Sequence, residues 1–134
     1  MYLFDTDAVS ALVRVDTPQS LVDRMAATSK SERFISVVTL LELRRGSQRK
    51  AAPPGIFEKI ERKIISQMQS LPVDSTVAVA AADLMASLDN RGIPIGLADS
   101  LIGATAVLHR LTLVTGNIRH FSRISGLKTE NWLT

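Results

Sequence analysis

Short β-rich apolar runs alternate with segments of helical periodicity along the chain, and that order predicts an α/β fold with a central parallel sheet covered by helices on both faces. Two further observations support it. A length of 134 residues, with 46% hydrophobic and 22% charged content, suits one ordinary domain with a substantial core, taken as residues 1–134. No internal repeat, low-complexity tract or linker divides it.

Tyr2-Leu3-Phe4 is the first strand, and a short helix over residues 7–14 follows. Pro18 suits the first turn of a second helix that carries Leu21, Val22 and Met25 inward. Residues 34–37 are a β-rich run, and the pattern over 39–48 is helical. Ala51-Ala52-Pro53-Pro54-Gly55 is the strongest break in the chain and reads as the turn of a helical hairpin. Beyond it, Phe57, Ile60, Ile64, Met68 and Leu71 recur at the three-to-four spacing of an amphipathic helix. Leu71-Pro72-Val73 offers another short strand. Residues 76–91 are Ala-rich and helical, with Val77, Ala81, Leu84, Met85 and Leu88 as the buried face, ended by Arg91-Gly92-Ile93-Pro94. A third long helix over 97–109, a strand over 112–115, a short turn or helix over 118–121 and an edge strand over 127–129 complete the chain.

Composition narrows the chemistry. With no cysteine, disulfides, thiolate metal sites and cysteine nucleophiles are excluded, so a metal would need oxygen ligands or the two histidines, His109 and His120. Oxygen ligands suit magnesium or manganese. No apolar run approaches the roughly 20 residues that span a bilayer, and the first residues lack the order of a signal peptide, so a cytoplasmic protein with no membrane partner is expected. The net charge of +3 says little by itself. Its distribution says more, because Arg44, Arg45, Arg49 and Lys50 follow directly on Glu42, with Lys59, Arg62 and Lys63 soon after. That run fits either a phosphate-backbone footprint or a solvated helix face.

Asp5, Glu42, Asp99 and Asn117 each stand where an apolar run hands over to the next element. Each has an ordinary structural explanation. Asp5 and Asp7 can cap the following helix. Thr39-x-x-Glu42 fits a capping box, Asp99 suits the positive end of a helix dipole, and Asn117 after Gly116 suits a turn. Yet in an open parallel sheet, sites form at the carboxyl ends of the strands, and Asp5 and Asn117 fall at such ends. Carboxylates gathered there repel one another unless a divalent cation neutralises them, and such a cation makes bound water a nucleophile near neutral pH. The pattern is that of a metal-dependent nuclease site.

Four blocks of sequence carry a resemblance. Leu3-Phe4-Asp5-Thr6-Asp7, the stretch from Ser36 through Glu42 to Gly46, Ala98-Asp99-Ser100 through Ala106, and Leu113-Val114-Thr115-Gly116-Asn117-Ile118-Arg119-His120-Phe121 look like the blocks of PIN-domain ribonuclease toxins of the VapC type. All four occur in order, and the ending Asn131-Trp132-Leu133 is similar too. The resemblance implies a three-layer α/β/α PIN-like domain and a toxin of a type II toxin–antitoxin system. It further implies Mg2+- or Mn2+-dependent endoribonuclease activity, a VapB-type antitoxin partner and a homodimer. Asp5 and Asp99 match the family's metal-binding aspartates, Glu42 its third acid, and Asn117 a fourth position held by Asp or Asn. Asp7 stands where relatives usually have Asn, and His120 where many have Asp; the first adds a carboxylate and the second removes one. On this reading Glu42 positions the ion or the attacking water, cleavage leaves a 3′-hydroxyl and a 5′-phosphate, and Arg44, Arg45 and Arg119 hold flanking phosphates.

Other chemistries fit less well. Phe4-Asp5-Thr6-Asp7 also suits a haloacid-dehalogenase-like phosphatase, but that reaction needs a lysine and a later acid pair, and no lysine lies between Lys63 and Lys128. A receiver domain fails for want of the same lysine. Neither histidine is placed to serve Ser10, Ser36, Thr39 or Ser100 as a base; His109 reads as a helix end. The non-enzymatic alternative is a degenerate PIN fold that binds RNA or protein without cutting.

Overall fold

The computed structural model describes residues 1–134. Strands β1 (Tyr2–Phe4), β2 (Arg33–Ser36), β3 (Gln69–Leu71), β4 (Thr112–Val114) and β5 (Lys128–Glu130) form one sheet in the order β3-β2-β1-β4-β5, with every pairing parallel. Parallel neighbours cannot be joined by a tight turn, so helices return the chain each time. These are α1 (Thr6–Ala11) and α2 (Gln19–Ala26) after β1, α3 (Val37–Ser47) and α4 (Ile56–Lys63) after β2, α5 (Ser75–Asn90) and α6 (Leu97–Leu108) after β3, and α7 (Ile118–Phe121) after β4. No helix is long and apolar enough to cross a membrane.

Alternation of side chains along the strands sorts the core into two layers. Phe4, Ile35 and Val114 face one side and pack with Val9, Leu21, Leu43 and Ile60 from α1, α2, α3 and α4. Leu3 and Leu113 face the other side and pack with Leu88, Ile102, Ala106 and Phe121 from α5, α6 and α7. The three-layer α/β/α arrangement expected from the sequence is therefore the one adopted. Small residues let α6 lie close: Ser100, Gly103, Ala104 and Ala106 are buried, and a Cβ on Gly103 would sit 2.5 Å from Ile124 Cδ1. The strand order reverses at β1, with β2 and β3 added on one side and β4 and β5 on the other. At such a reversal the carboxyl ends of the strands open a crevice, and β1, β2 and β4 lead their chains into it.

Several boundaries differ from expectation for identifiable reasons. The amphipathic run from Phe57 to Leu71 is not one helix. α4 stops at Lys63, Ile65–Gln67 forms a single 3-10 turn, and Met68 is already extended, so β3 begins two residues earlier than the expected 71–73. Ile60, Ile64 and Met68 are buried all the same, because the extra turn keeps their side chains on the core side. Gln69 and Ser70 are exposed in this edge strand, so its polar sequence hides it. α3 begins at Val37, capped by the Ser36 hydroxyl, which accepts from Val38 N–H. Two β-branched valines disguised that first turn as strand. The first helix runs Thr6–Ala11 rather than 7–14, and β5 lies one residue later than expected.

Trp132 locks the C-terminal residues onto β1. It is 1% exposed, stands edge-on to Tyr2 and Phe4 at 4.8 and 5.3 Å, and carries the Arg24 guanidinium 4.8 Å above its ring. Arg24 also pairs with Glu130 at 2.7 Å, and the Ser20 hydroxyl donates to the Trp132 carbonyl at 2.8 Å, so α2 is tied to the same point. The indole N–H has no partner. Trp132→Ala should lower stability by about 3–5 kcal/mol in urea denaturation. Trp132→Phe should cost well under half of that, because it keeps a ring in the cavity and removes a buried donor that nothing satisfies.

Candidate active site

Asp5 follows directly on β1. Its N–H donates to the Val114 carbonyl at 3.1 Å, continuing the sheet, while its Oδ1 accepts from Ala8 N–H at 2.8 Å and caps α1. The side chain is buried. Glu42 sits in the second turn of α3 and does not reach back to Thr39, so the capping-box reading fails; Ser36 holds the cap instead. Its Oε1 accepts from the Thr6 hydroxyl at 2.5 Å, and the buried Thr39 hydroxyl lies 3.3 Å from the same Thr6 oxygen. Asp99 occupies the first turn of α6, with Oδ2 accepting from His120 Nε2 at 2.9 Å. Asn117 precedes α7 with an exposed side chain that caps nothing, while its N–H donates to the buried Thr115 hydroxyl at 2.9 Å.

These residues, drawn from four separate elements, share one cleft. Asp5, Thr6, Asp7, Glu42, Asp99 and Asn117 line a space of about 120 Å³, with Phe121 as its one hydrophobic wall. Asp5, Glu42, Asp99 and Asn117 are all among the residues singled out in the sequence. Two neighbours of these acids were not paired with them from the sequence. Thr6 was visible only as the middle of Asp5-Thr6-Asp7, and nothing in the sequence pairs it with Glu42, 36 positions away. His120 stood out as a departure from the family pattern, but its Asp99 partner lies 21 positions off and is set only by the packing of α7 beside α6. Arg44, Arg45 and Arg119 are exposed as expected, although Arg44 stacks its guanidinium 4.7 Å over the Phe57 ring.

Burial pushes the Asp5 carboxyl from its ordinary 3.8 up to about 6. The Thr115 hydroxyl and Ala8 N–H pull it down, and the neighbouring Asp7 and Asp99 charges add to the rise. Ionised Asp5 is therefore under electrostatic stress that a cation in the cleft would relieve. The donors fit a hard cation: every polar side chain lining the cleft offers oxygen, and four of them, Asp5, Asp7, Glu42 and Asp99, are carboxylates. No three Asp, Glu or His side chains stand close enough to cage an ion unaided. An ion held here would keep part of its water shell, which is the habit of Mg2+.

Because the folded carboxyl of Asp5 titrates near 6 and the unfolded one near 3.8, the folded state binds the extra proton between those values. Without metal, stability should fall as pH rises from 4 through 6, by up to about 3 kcal/mol from this group. Urea denaturation in a chelator should show Asp5→Asn more stable than the parent at pH 8. The gap should close near pH 4. A gap that does not change with pH would contradict the burial of this charge.

Residues 2–127 match the model of the PIN domain family. The chain is 30% identical over 131 residues to the tRNA(fMet)-specific endonuclease VapC of Salmonella typhimurium, covering 98% of this chain and 97% of that protein. Its fold is similar to the DNA-bound VapBC structure from Salmonella typhimurium, with a TM-score of 0.85 at 29% identity over 98% of this chain and 97% of that one. FitAcB from Neisseria gonorrhoeae is equally similar, with a TM-score of 0.86 at 26% identity over 98% of each chain. With the fold, the block order and the acidic cleft in agreement, the chain belongs to the PIN domain family and, within it, to the VapC proteins.

Proposed function

We propose that this chain is the toxin component of a type II toxin–antitoxin system, an endoribonuclease that hydrolyses RNA phosphodiester bonds with Mg2+ or Mn2+ held by Asp5 and Asp99. The convergence of Asp5, Glu42, Asp99 and Asn117 on one cleft carries this reading. Its relatives are named as endonuclease and toxin, and solved structures similar to it are complexes of the VapBC and FitAB kind. The corresponding partners are a VapB-type antitoxin and a second copy of the chain, in the cytoplasm. Residues 1–134 act as a single nuclease unit.

A divalent ion, when bound, supplies Lewis-acid polarisation of the scissile phosphate and lowers the pKa of water toward neutrality. Asp5 and Asp99 provide the negative charge that holds it. Glu42, steadied on one oxygen by Thr6, turns the other toward the attacking water and takes its proton. Asn117 offers an uncharged amide to orient that water or a phosphate oxygen. In-line attack at phosphorus breaks the bond to the 3′-oxygen, leaving a 3′-hydroxyl and a 5′-phosphate, with solvent protonating the leaving oxygen. Arg44, Arg45 and Arg119 hold the flanking backbone.

Base stacking contributes little to substrate choice, because none of the six aromatic side chains is exposed. Shape and single-stranded loops of a folded RNA fit this surface better. The Salmonella relative is named as specific for a tRNA, which is a folded RNA.

Brief induction followed by sequencing of cellular RNA 5′ ends should reveal discrete cuts that disappear with Asp5→Ala. In vitro, a chelator should stop cleavage and Mg2+ or Mn2+ should restore it. Equal cutting by Asp5→Ala would refute the site, and retention of RNA without any cutting would favour a binding module. Arg45→Ala should flatten the log–log salt dependence of RNA binding by about one unit, with little change in sequence preference.

A further inference from the structure

We infer that His120 is a positioning residue that orients Asp99 toward a bound divalent ion. The inference rests on the proposed metal site and adds a residue to it. Its basis is how the carboxylates around the cleft are held. Asp5 gives Oδ1 to Ala8 N–H, Glu42 gives Oε1 to the Thr6 hydroxyl, and Asp99 gives Oδ2 to His120 Nε2. Each of these three acids thus has at least one oxygen engaged by a protein donor, while Asp7, the fourth carboxylate lining the cleft, is exposed. The opposite oxygen of each, Oδ2, Oε2 and Oδ1, receives none of these three bonds.

A bond from the protein to one carboxylate oxygen fixes the plane of the group and with it the direction of the second oxygen. Asp99 is the acid that most needs such a partner, because its side chain is 41% exposed whereas Asp5 is buried. His120 is itself partly buried, with its ring edge-on to the buried Phe121 at 5.2 Å. Because ionised Asp99 only accepts, Nε2 carries the proton whatever the charge on the ring. With Oδ2 engaged by His120, Asp99 Oδ1 is the oxygen left to an ion or to its bound water. Partners of this kind orient the ligand they touch, and removing them weakens metal binding by roughly 10–100-fold.

The test is Mn2+ binding to the purified chain at pH 7.5 without RNA, followed by the electron paramagnetic resonance signal of free Mn2+. The parent should bind Mn2+. His120→Ala should bind at least about tenfold more weakly, and His120→Gln, whose amide can still donate to Asp99, should recover most of the loss. Thermal melting of the metal-free variants should match the parent, which separates positioning from folding. His120→Ala binding as tightly as the parent, or His120→Gln binding as weakly as His120→Ala, would overturn the inference while leaving the metal site intact. No Mn2+ binding by the parent, or binding unchanged by Asp5→Asn, would overturn the metal site itself and the inference with it.

Discussion

A carboxylate that the fold buries, and that the proposed chemistry needs charged, sets the terms for this protein. Asp5 terminates the central strand, extends the β1–β4 pairing through its N–H, and starts α1 by capping it. Those duties place its side chain inside the molecule, where ionisation is resisted and the carboxyl titrates near 6. A site that raises the cost of its own charge in this way gains the more from a cation. On the proposed function, stability without metal and affinity for metal are thus opposed at one residue.

The rest of the architecture delivers companions to Asp5. Reversal of strand order at β1 opens the crevice on the side where β1, β2 and β4 end. β2 hands over to α3 at Ser36, which sets Glu42 in the second turn, within reach of Thr6 on α1. α6 approaches from the opposite layer, and its small buried residues let Asp99 come near enough to raise the Asp5 carboxyl. Four elements from both helical layers therefore meet at one point, although each strand is only three or four residues long.

Much of this was legible in the sequence because the signals were local. Leu3-Phe4 and Leu113-Val114 read as buried strands, and the acids at their boundaries could be pooled once a parallel sheet was assumed. What escaped was settled by packing rather than by pattern. The amphipathic spacing from Ile60 to Met68 is the same whether the chain continues as helix or inserts a 3-10 turn, since both bury those residues. Thr39-x-x-Glu42 satisfied a local rule that the structure does not use, because Ser36, three positions earlier, took the cap. Thr6–Glu42 and Asp99–His120 join distant positions of different types, and no local period encodes such a pair.

The capping and metal-binding readings of these acids are not exclusive, and the hydrogen bonds leave room for both. A carboxylate has two oxygens, and the fold occupies at least one on each of Asp5, Glu42 and Asp99. The bond that caps a helix or ties two elements also fixes the direction of the second oxygen, at no further cost in side-chain entropy when an ion arrives. The structural role is in that sense the means of the chemical one: an acid that did not anchor the fold would have to be ordered by its ligand. The same reasoning explains why Asn117, whose side chain caps nothing and lies exposed, is the least constrained member of the set and the one best suited to adjust to substrate.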